Sequence, residues 1–441
     1  MDARAKLIAL YDEVVHALGA RRLAREACLG ALSREGERLV VPEPLPGGRR
    51  FVLGVGKVAA ELMQGACDAL GPLPAVLAVP PGSPEVPGAM VGGHPLPDEG
   101  SIAAGEALLR AASALGPSDV ALLLLSGGGS ALAEVPRLSL ADLLATNDAL
   151  LRGGVPIEEM NLIRAHLSQL KGGGLARALH RAGVRRAVAL VAVDVPKGGA
   201  KAVSSGPGAA DPGTYAAALS VVRARSLALP AEALRVLEAG ARGELPETLK
   251  PGDPADFIPH HVLCDMGSPA REAAQRSEWP AELLPLVSGP LERFAEELAA
   301  RLPPAQPGEG TVRLDAEPVR LDAEPARLVV ASGEPELRIP ADAPPGGRAQ
   351  HLALLMARSL RGQRAAFLAA GTDGHDGATN AAGAAVDGTT WEEAERRGLR
   401  PAEALASFGA AAVLGALGAG IPARHSESHC GELYLLLRAL P

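Results

Sequence analysis

Residues 122–132 read "LLLLSGGGSAL", where Ser126, Gly127, Gly128, Gly129 and Ser130 follow a run of four leucines. A buried strand that runs into a loop almost without side chains lets its backbone come close to something. Exposed N–H groups and a following helix start suit a phosphate or a carboxylate, although a glycine turn that merely allows close packing has the same composition. In "LGVGKVAAELM", Gly54 and Gly56 bracket a strand end and Lys57 stands at the mouth of the next helix. A lysine there can hold a transferring phosphoryl group as a point charge, or simply be solvated. In "AVDVPKGGAKAVSSGPG", Asp194 ends a further strand, which suits a magnesium ligand, a base for a hydroxyl, or a helix cap. Arg164 and Lys171 precede the glycines of "MNLIRAHLSQLKGGGLARAL" and, with Gly54, Gly56 and the 126–130 turn, are candidate substrate- or phosphate-binding residues, although a helix dipole explains such basic groups in part. In the second half, "PPGGRAQHLALLMA" sets Arg348 after two glycines and before a helix. "FLAAGTDGHDGATNAAG" puts Asp373 and Asp376 at a strand end as candidate metal ligands, with His375 between them. The D-x-x-D spacing and the missing distal glutamate exclude an EF-hand.

The elements that must position these residues alternate. Short apolar runs ("RRFVLGVGK", "DVALLLLSGGG", "RRAVALVAVDV", "RAAFLAAGTDG") are separated by longer helical patterns. Strands that are apolar without alternation indicate parallel sheets covered on both faces, so the fold class is α/β, with mainly parallel sheets flanked by helices. Ligands in such sheets sit beyond the carboxyl ends of strands, where the glycine turns fall. A stretch rich in Pro, Gly and acids, about 238–260, places the boundary between an N-terminal Rossmann-like domain, 1–245, and a C-terminal α/β domain, 246–441. "HHVLCDMGSPAREAAQ" opens the second βα series. Leu7, Leu10, Val14 and Leu18 make the N-terminus an amphipathic helix and not a signal peptide. The tandem heptad "VRLDAEP", within 312–328, is too short to stack as a repeat and is read as a local duplication.

Composition bounds the function. A chain of 441 residues that is 47% hydrophobic and 2% aromatic builds ample Ala, Leu and Val cores, enough for two domains. A net charge of −8 without a basic, aromatic-studded stretch excludes nucleic acid as the partner. No apolar run is long enough to span a membrane. Four cysteines without C-x-x-C spacing fit reduced thiols in a cytoplasmic protein. The 126–130 loop has neither the GK[ST] of a Walker loop nor the spacing of a dinucleotide fingerprint.

The order of the motifs is more specific than any one of them. "GVGK", "GGHPLPDEGS", "LLSGGGSAL", "EEMNLIRAHLSQLKGGGLA", "GGRAQHLAL" and "AGTDGHDGATNAAG" together resemble the glycerate 2-kinase family with its C-terminal MOFRL domain, from about residue 5 to 435 and least between 245 and 340. The resemblance implies two α/β domains with the active site in the interdomain cleft. It also implies transfer of the ATP γ-phosphoryl group to the 2-hydroxyl of D-glycerate, with Mg2+, giving 2-phosphoglycerate. Lys57 and Arg348 are then the basic catalytic pair, one from each domain, while Asp194 is a catalytic candidate from its own place at a strand end. Members carry a second acid after the strand where this chain has Gly198, preceded by Lys197. Ala349 replaces an asparagine, and "ARHSESHCGEL" replaces a Thr/Gly/Asn-rich loop. The alternatives are an oxidoreductase of hydroxypyruvate, against which the absent G-x-G-x-x-G and ribose-binding acid argue, and a metabolite-binding homologue that has lost turnover. Oligomeric state stays open, with a homodimer as one option.

Overall fold

The computed structural model describes residues 2–31, 33–34, 37–38, 40–195, 199–302, 326–340 and 342–439. Lys197, Gly198 and the "VRLDAEP" repeats lie outside the described residues. The chain divides into two compact units, one of Ala20–Leu263 and one of Met1–Gly19 with Cys264–Pro441.

In the first unit, β1 (Arg50–Val55), β2 (Ala75–Val79), β3 (Ala89–Val91), β4 (Val120–Leu125), β5 (Arg186–Ala192) and β6 (His260–Cys264) form one sheet in the order β3-β2-β1-β4-β5-β6. All four pairings from β3 to β5 are parallel. Every residue of β4 is buried, as an apolar strand covered on both faces must be. Strand order runs outward from β1 to β3 and then restarts on the other side of β1 with β4. The carboxyl ends of β1 and β4 are therefore a topological switch point, where two connecting loops diverge and leave a crevice. The loops that leave there are the two glycine turns of the sequence.

The second unit departs from the expectation of parallel sheets. Its strands β7 (Ala281–Leu283), β8 (Ala326–Gly333), β9 (Ala365–Gly371), β10 (Ala381–Asp387), β11 (Gly420–Pro422) and β12 (Glu432–Ala439) are ordered β11-β10-β9-β12-β8-β7. Only β7 and β8 run parallel; the other four pairings are antiparallel. The strands are nevertheless apolar along most of their length, because helices cover the sheet and β9 is buried throughout.

The expected boundary at 245 also moves. Strand β6, read as the opening of the second domain, sits at the edge of the first sheet, where the Ala189 amide donates to the carbonyl of Pro259 (2.9 Å). Helix α1 (Ala3–Ala17) belongs to the second unit. It buries Leu7, Leu10, Tyr11 and Val14 among β9, β10 and α5 (Ser268–Arg276). Helices α2 (Ala59–Leu70), α3 (Gly129–Leu132) and α4 (Gly174–Arg181) belong to the first unit and α6 (Arg348–Ser359) to the second. The Tyr11 hydroxyl donates to the carbonyl of Gly371 (2.6 Å), at the end of β9. All four cysteines are free, and no helix among the described residues is long and apolar enough to cross a membrane.

Candidate functional site

At the switch point the turn after β1 and the turn after β4 touch directly. The Lys57 amide donates to the carbonyl of Gly127 (2.9 Å), and the Val58 amide, at the start of α2, donates to the Ser126 hydroxyl oxygen (3.1 Å). Gly56 has φ +136°, and a Cβ there would collide with Ser126, so only glycine lets the two turns approach. Ser126 is thus a buried helix cap and not a free hydroxyl. The amides of Gly127, Gly128, Gly129 and Ser130 meet no acceptor among the described residues, which makes the turn receptive to an anion.

Two charged groups flank these amides. A Cβ on Gly127 would fall on the carboxylate of Asp194, so the β5 strand end delivers its acid onto the turn. A Cβ on Gly128, which has φ +79°, would lie 3.0 Å from Lys57 Cγ and 3.1 Å from His94 Nε2. Lys57 and His94 therefore converge over the same glycine. Burial, assisted by the Lys57 charge, pushes the His94 imidazole below its ordinary range, so the ring is neutral at pH 7. His94 was not singled out from the sequence. The signal was its place in "GGHPLPDEGS", between paired glycines and a proline. A second loop closes over the turn: Ser204 donates to the Ser126 carbonyl (2.9 Å) and the hydroxyls of Ser205 and Ser130 lie 2.7 Å apart. Ser204 and Ser205 sit at φ +56° and +59°, left-handed backbone that costs a non-glycine residue energy and clusters at functional turns.

Arg348, in the other unit, is the first residue of α6. Its Nε donates to Glu432 Oε1 (2.7 Å) and its Nη1 to the Pro335 carbonyl (3.2 Å), with Glu334 Oε2 3.7 Å from Nη2. Tyr434 donates to the other oxygen of Glu432. Burial pushes Glu432 up to about 7 even though Arg348 and the Tyr434 hydroxyl pull the other way. Glu432 and Tyr434 were also missed, because strand β12 reads as an apolar core strand.

Four sequence expectations are corrected. Gly54 does not face a ligand: it lies inside β1, and Leu77 fills the space where its side chain would be. Lys171 is nearly fully buried and its ammonium donates to Glu134, which also accepts from Ser168. Arg164 is half-buried with Nε on Asn147 Oδ1 (2.8 Å). Lys171 is thereby taken out of reach of a phosphate, and the Nε of Arg164 is taken by the polar interior. Asp376 is not placed to bind metal either, since its carboxylate accepts the amides of Ala349 (3.0 Å) and Gln350 (2.8 Å) and so caps α6. Burial raises its pKa against the pull of those amides. Asp373 uses one oxygen to accept the His375 amide (3.1 Å).

Among the described residues no three His, Cys, Asp or Glu side chains gather into an all-protein metal site. Magnesium does not need one, because it takes one or two carboxylates and completes its shell with phosphates and water. Asp194, held against the Gly127 cradle, fits that part. Residues 54–59 have the looser spacing G-x-G-x-x-A of a dinucleotide turn, yet Gly54 is a packing glycine, and β2 is followed by Pro80, Pro81 and Gly82 with no acid for a ribose.

A parallel α/β unit with an anion-receptive turn at its switch point, a lysine on one side and a carboxylate on the other, defines a phosphate-handling α/β protein. Residues 6–238 match the family described as a domain of unknown function (DUF4147), and residues 327–429 match the MOFRL family. A glycerate 2-kinase of Pyrococcus horikoshii is 31% identical over 90% of this chain and 89% of its own, and a D-glycerate 2-kinase of Thermotoga maritima is 32% identical over 80% and 82%. A relative from Agrobacterium vitis that carries a hydroxypyruvate reductase name is 35% identical over 84% and 83%. The crystal structure of a Thermotoga maritima glycerate kinase superposes with a TM-score of 0.81 at 27% identity over 99% of both chains. The chain belongs to the glycerate 2-kinase family.

Proposed function

We propose that the chain is a cytoplasmic D-glycerate 2-kinase, which transfers the γ-phosphoryl group of ATP to the 2-hydroxyl of D-glycerate and releases 2-phosphoglycerate. The observation that carries the reading is the convergence of Lys57, Asp194 and the unpartnered amides of residues 127–130 at one switch point, in a chain whose relatives are named for this activity. Phosphoryl transfer asks for in-line positioning and for cations around the equatorial oxygens more than for covalent help. The turn amides bind oxyanion oxygens, Lys57 and Arg348 supply the charge that grows in value in the transition state, and neutral His94 or Asp194 accepts the hydroxyl proton. Asp194 would hold Mg2+ beside the turn, and the ion, bound with the nucleotide, would supply neutralisation of phosphate charge. Gly127 leaves room for Asp194 and Ser126 fixes the start of α2, so both act by positioning.

The reaction of purified protein with D-glycerate, ATP and Mg2+ should give a product that enolase converts to phosphoenolpyruvate directly. A product that needs a phosphoglycerate mutase first overturns the regiochemistry. Consumption of NAD(P)H with hydroxypyruvate, and none of ATP, overturns the kinase reading.

A further inference from the structure

A cavity of about 180 Å3 lies in the first unit between the start of α4 and the segment around residues 246–248. Arg137, Arg177 and Arg181 line it, together with Tyr215. Its acid is shared: Glu247 acts on Arg177, but it also accepts the Tyr215 amide (3.0 Å) and faces His166 Nε2 and Lys250 Nζ, both 3.2 Å away. Lys171, also in the wall, is already paired with Glu134. Arg177 is fixed by the carbonyls of Glu247 and Thr248, the latter at 3.0 Å. Arg137 is the unusual member, because its Nε is out of reach of solvent and meets no acceptor. Neither Arg137 nor Arg181 pairs with a carboxylate among the described residues. Arg177 feels the charges of Asp253 and Glu247, whereas Arg137 and Arg181 have no paired carboxylate among the described residues and Arg137 adds an orphaned buried donor, so this side of the cavity is set to receive an anion.

We infer that this cavity is a second ligand site of the molecule, separate from the glycine turn, and that it binds a compact phosphate-bearing anion. The volume is below the 300–1,000 Å3 range of pockets for drug-sized ligands and matches inorganic phosphate or a three-carbon phosphate ester better than a whole nucleotide. Guanidinium forks match the oxygens of a phosphate, and a dianion balances the excess positive charge better than a single carboxylate. The site is also joined to the glycine turn. Gly172, in the cavity wall, donates its amide to the Ser205 carbonyl (3.0 Å), and the Ser205 hydroxyl meets that of Ser130.

The test is calorimetric titration of the full-length protein with inorganic phosphate, in wild type and in Lys57→Ala, Arg137→Gln, Arg181→Gln and Arg137→Lys variants. Wild type and Lys57→Ala should both bind phosphate at this site, and Arg137→Gln and Arg181→Gln should each weaken it at least ~10-fold. Arg137→Lys, which keeps charge and volume, should fold as wild type and bind with an intermediate constant. Loss of all binding in Lys57→Ala with the arginine variants unchanged, or no binding in wild type, overturns the inference. Malonate that binds as tightly as phosphate overturns the assignment to phosphate. None of these measurements depends on turnover, so the result stands apart from the kinase reading.

Discussion

Lys57 and Arg348 were read alike in the sequence, as cations at helix entrances, but their surroundings differ. No carboxylate pairs with Lys57 among the described residues, whereas Arg348 is tied to a buried Glu432. Lys57→Ala should lower kcat by roughly 10²- to 10³-fold, about 3 to 4 kcal/mol, and leave the Tm nearly unchanged. Arg348→Ala should cost a similar factor in kcat and also lower the Tm, since it strands an acid in the interior. Adding Glu432→Gln to Arg348→Ala should recover stability without activity. Steady-state rates and thermal melts on these variants check the division, and a Lys57→Ala enzyme of near-normal kcat removes that residue from the mechanism. Glu432 also sets a pH dependence. Its native pKa, about 7, lies above the ordinary 4.5, so between these values the folded protein keeps a proton that the unfolded chain has released. Its contribution to stability is full below about 4.5 and is lost as pH rises through about 7. Urea melts from pH 5 to 8 should show that fall in wild type and a flatter profile in Glu432→Gln.

At the scale of elements, α6 depends on an acid that the sequence assigned to metal. Asp376 stands 27 positions beyond Ala349, and Gly347 leaves the space for its carboxylate. Asp376→Ala should lower stability by roughly 1–3 kcal/mol, because two buried amides lose their acceptor, and should reduce kcat by loosening Arg348. The magnesium concentration for half-maximal rate should not change. A denaturation curve and a magnesium titration on the same variant decide it, and a raised magnesium requirement at unchanged stability returns Asp376 to the metal. The contrast explains what could be read in advance. The turn at 126–130 was legible because its need for glycine is local, set by one strand end and the turn beside it. The role of Asp376 depends on a contact between distant segments, and a strand-end Asp looks the same as ligand or as cap.

At the scale of the whole molecule, the α/β class was legible from the spacing of apolar runs. Strand direction in the second unit was not, because β9 and β12 are covered by helices and carry the same unbroken apolar signal as parallel strands. The membership of α1 was equally hidden, since its amphipathic pattern says that one face is buried but not against what. A fragment of residues 20–263 should therefore fold and melt cooperatively, while 264–441 alone should not. Joining residues 1–19 to that second fragment should restore a cooperative melt, because Leu7, Leu10, Tyr11 and Val14 each contribute about 1.5–3 kcal/mol when buried. Circular dichroism on the three fragments is the check, and a cooperative melt of 264–441 by itself removes α1 from that core. The same feature bears on biosynthesis. Helix α1 leaves the ribosome well before the segments it covers, which begin to emerge about 245 residues later, on the order of 12–50 s at ordinary elongation rates. The first unit has time to fold while α1 waits with its apolar face uncovered. The second unit is thus completed by a segment made long before it, and a nascent chain released before the strands of that unit should carry an unsatisfied amphipathic helix α1, a surface for chaperones to hold.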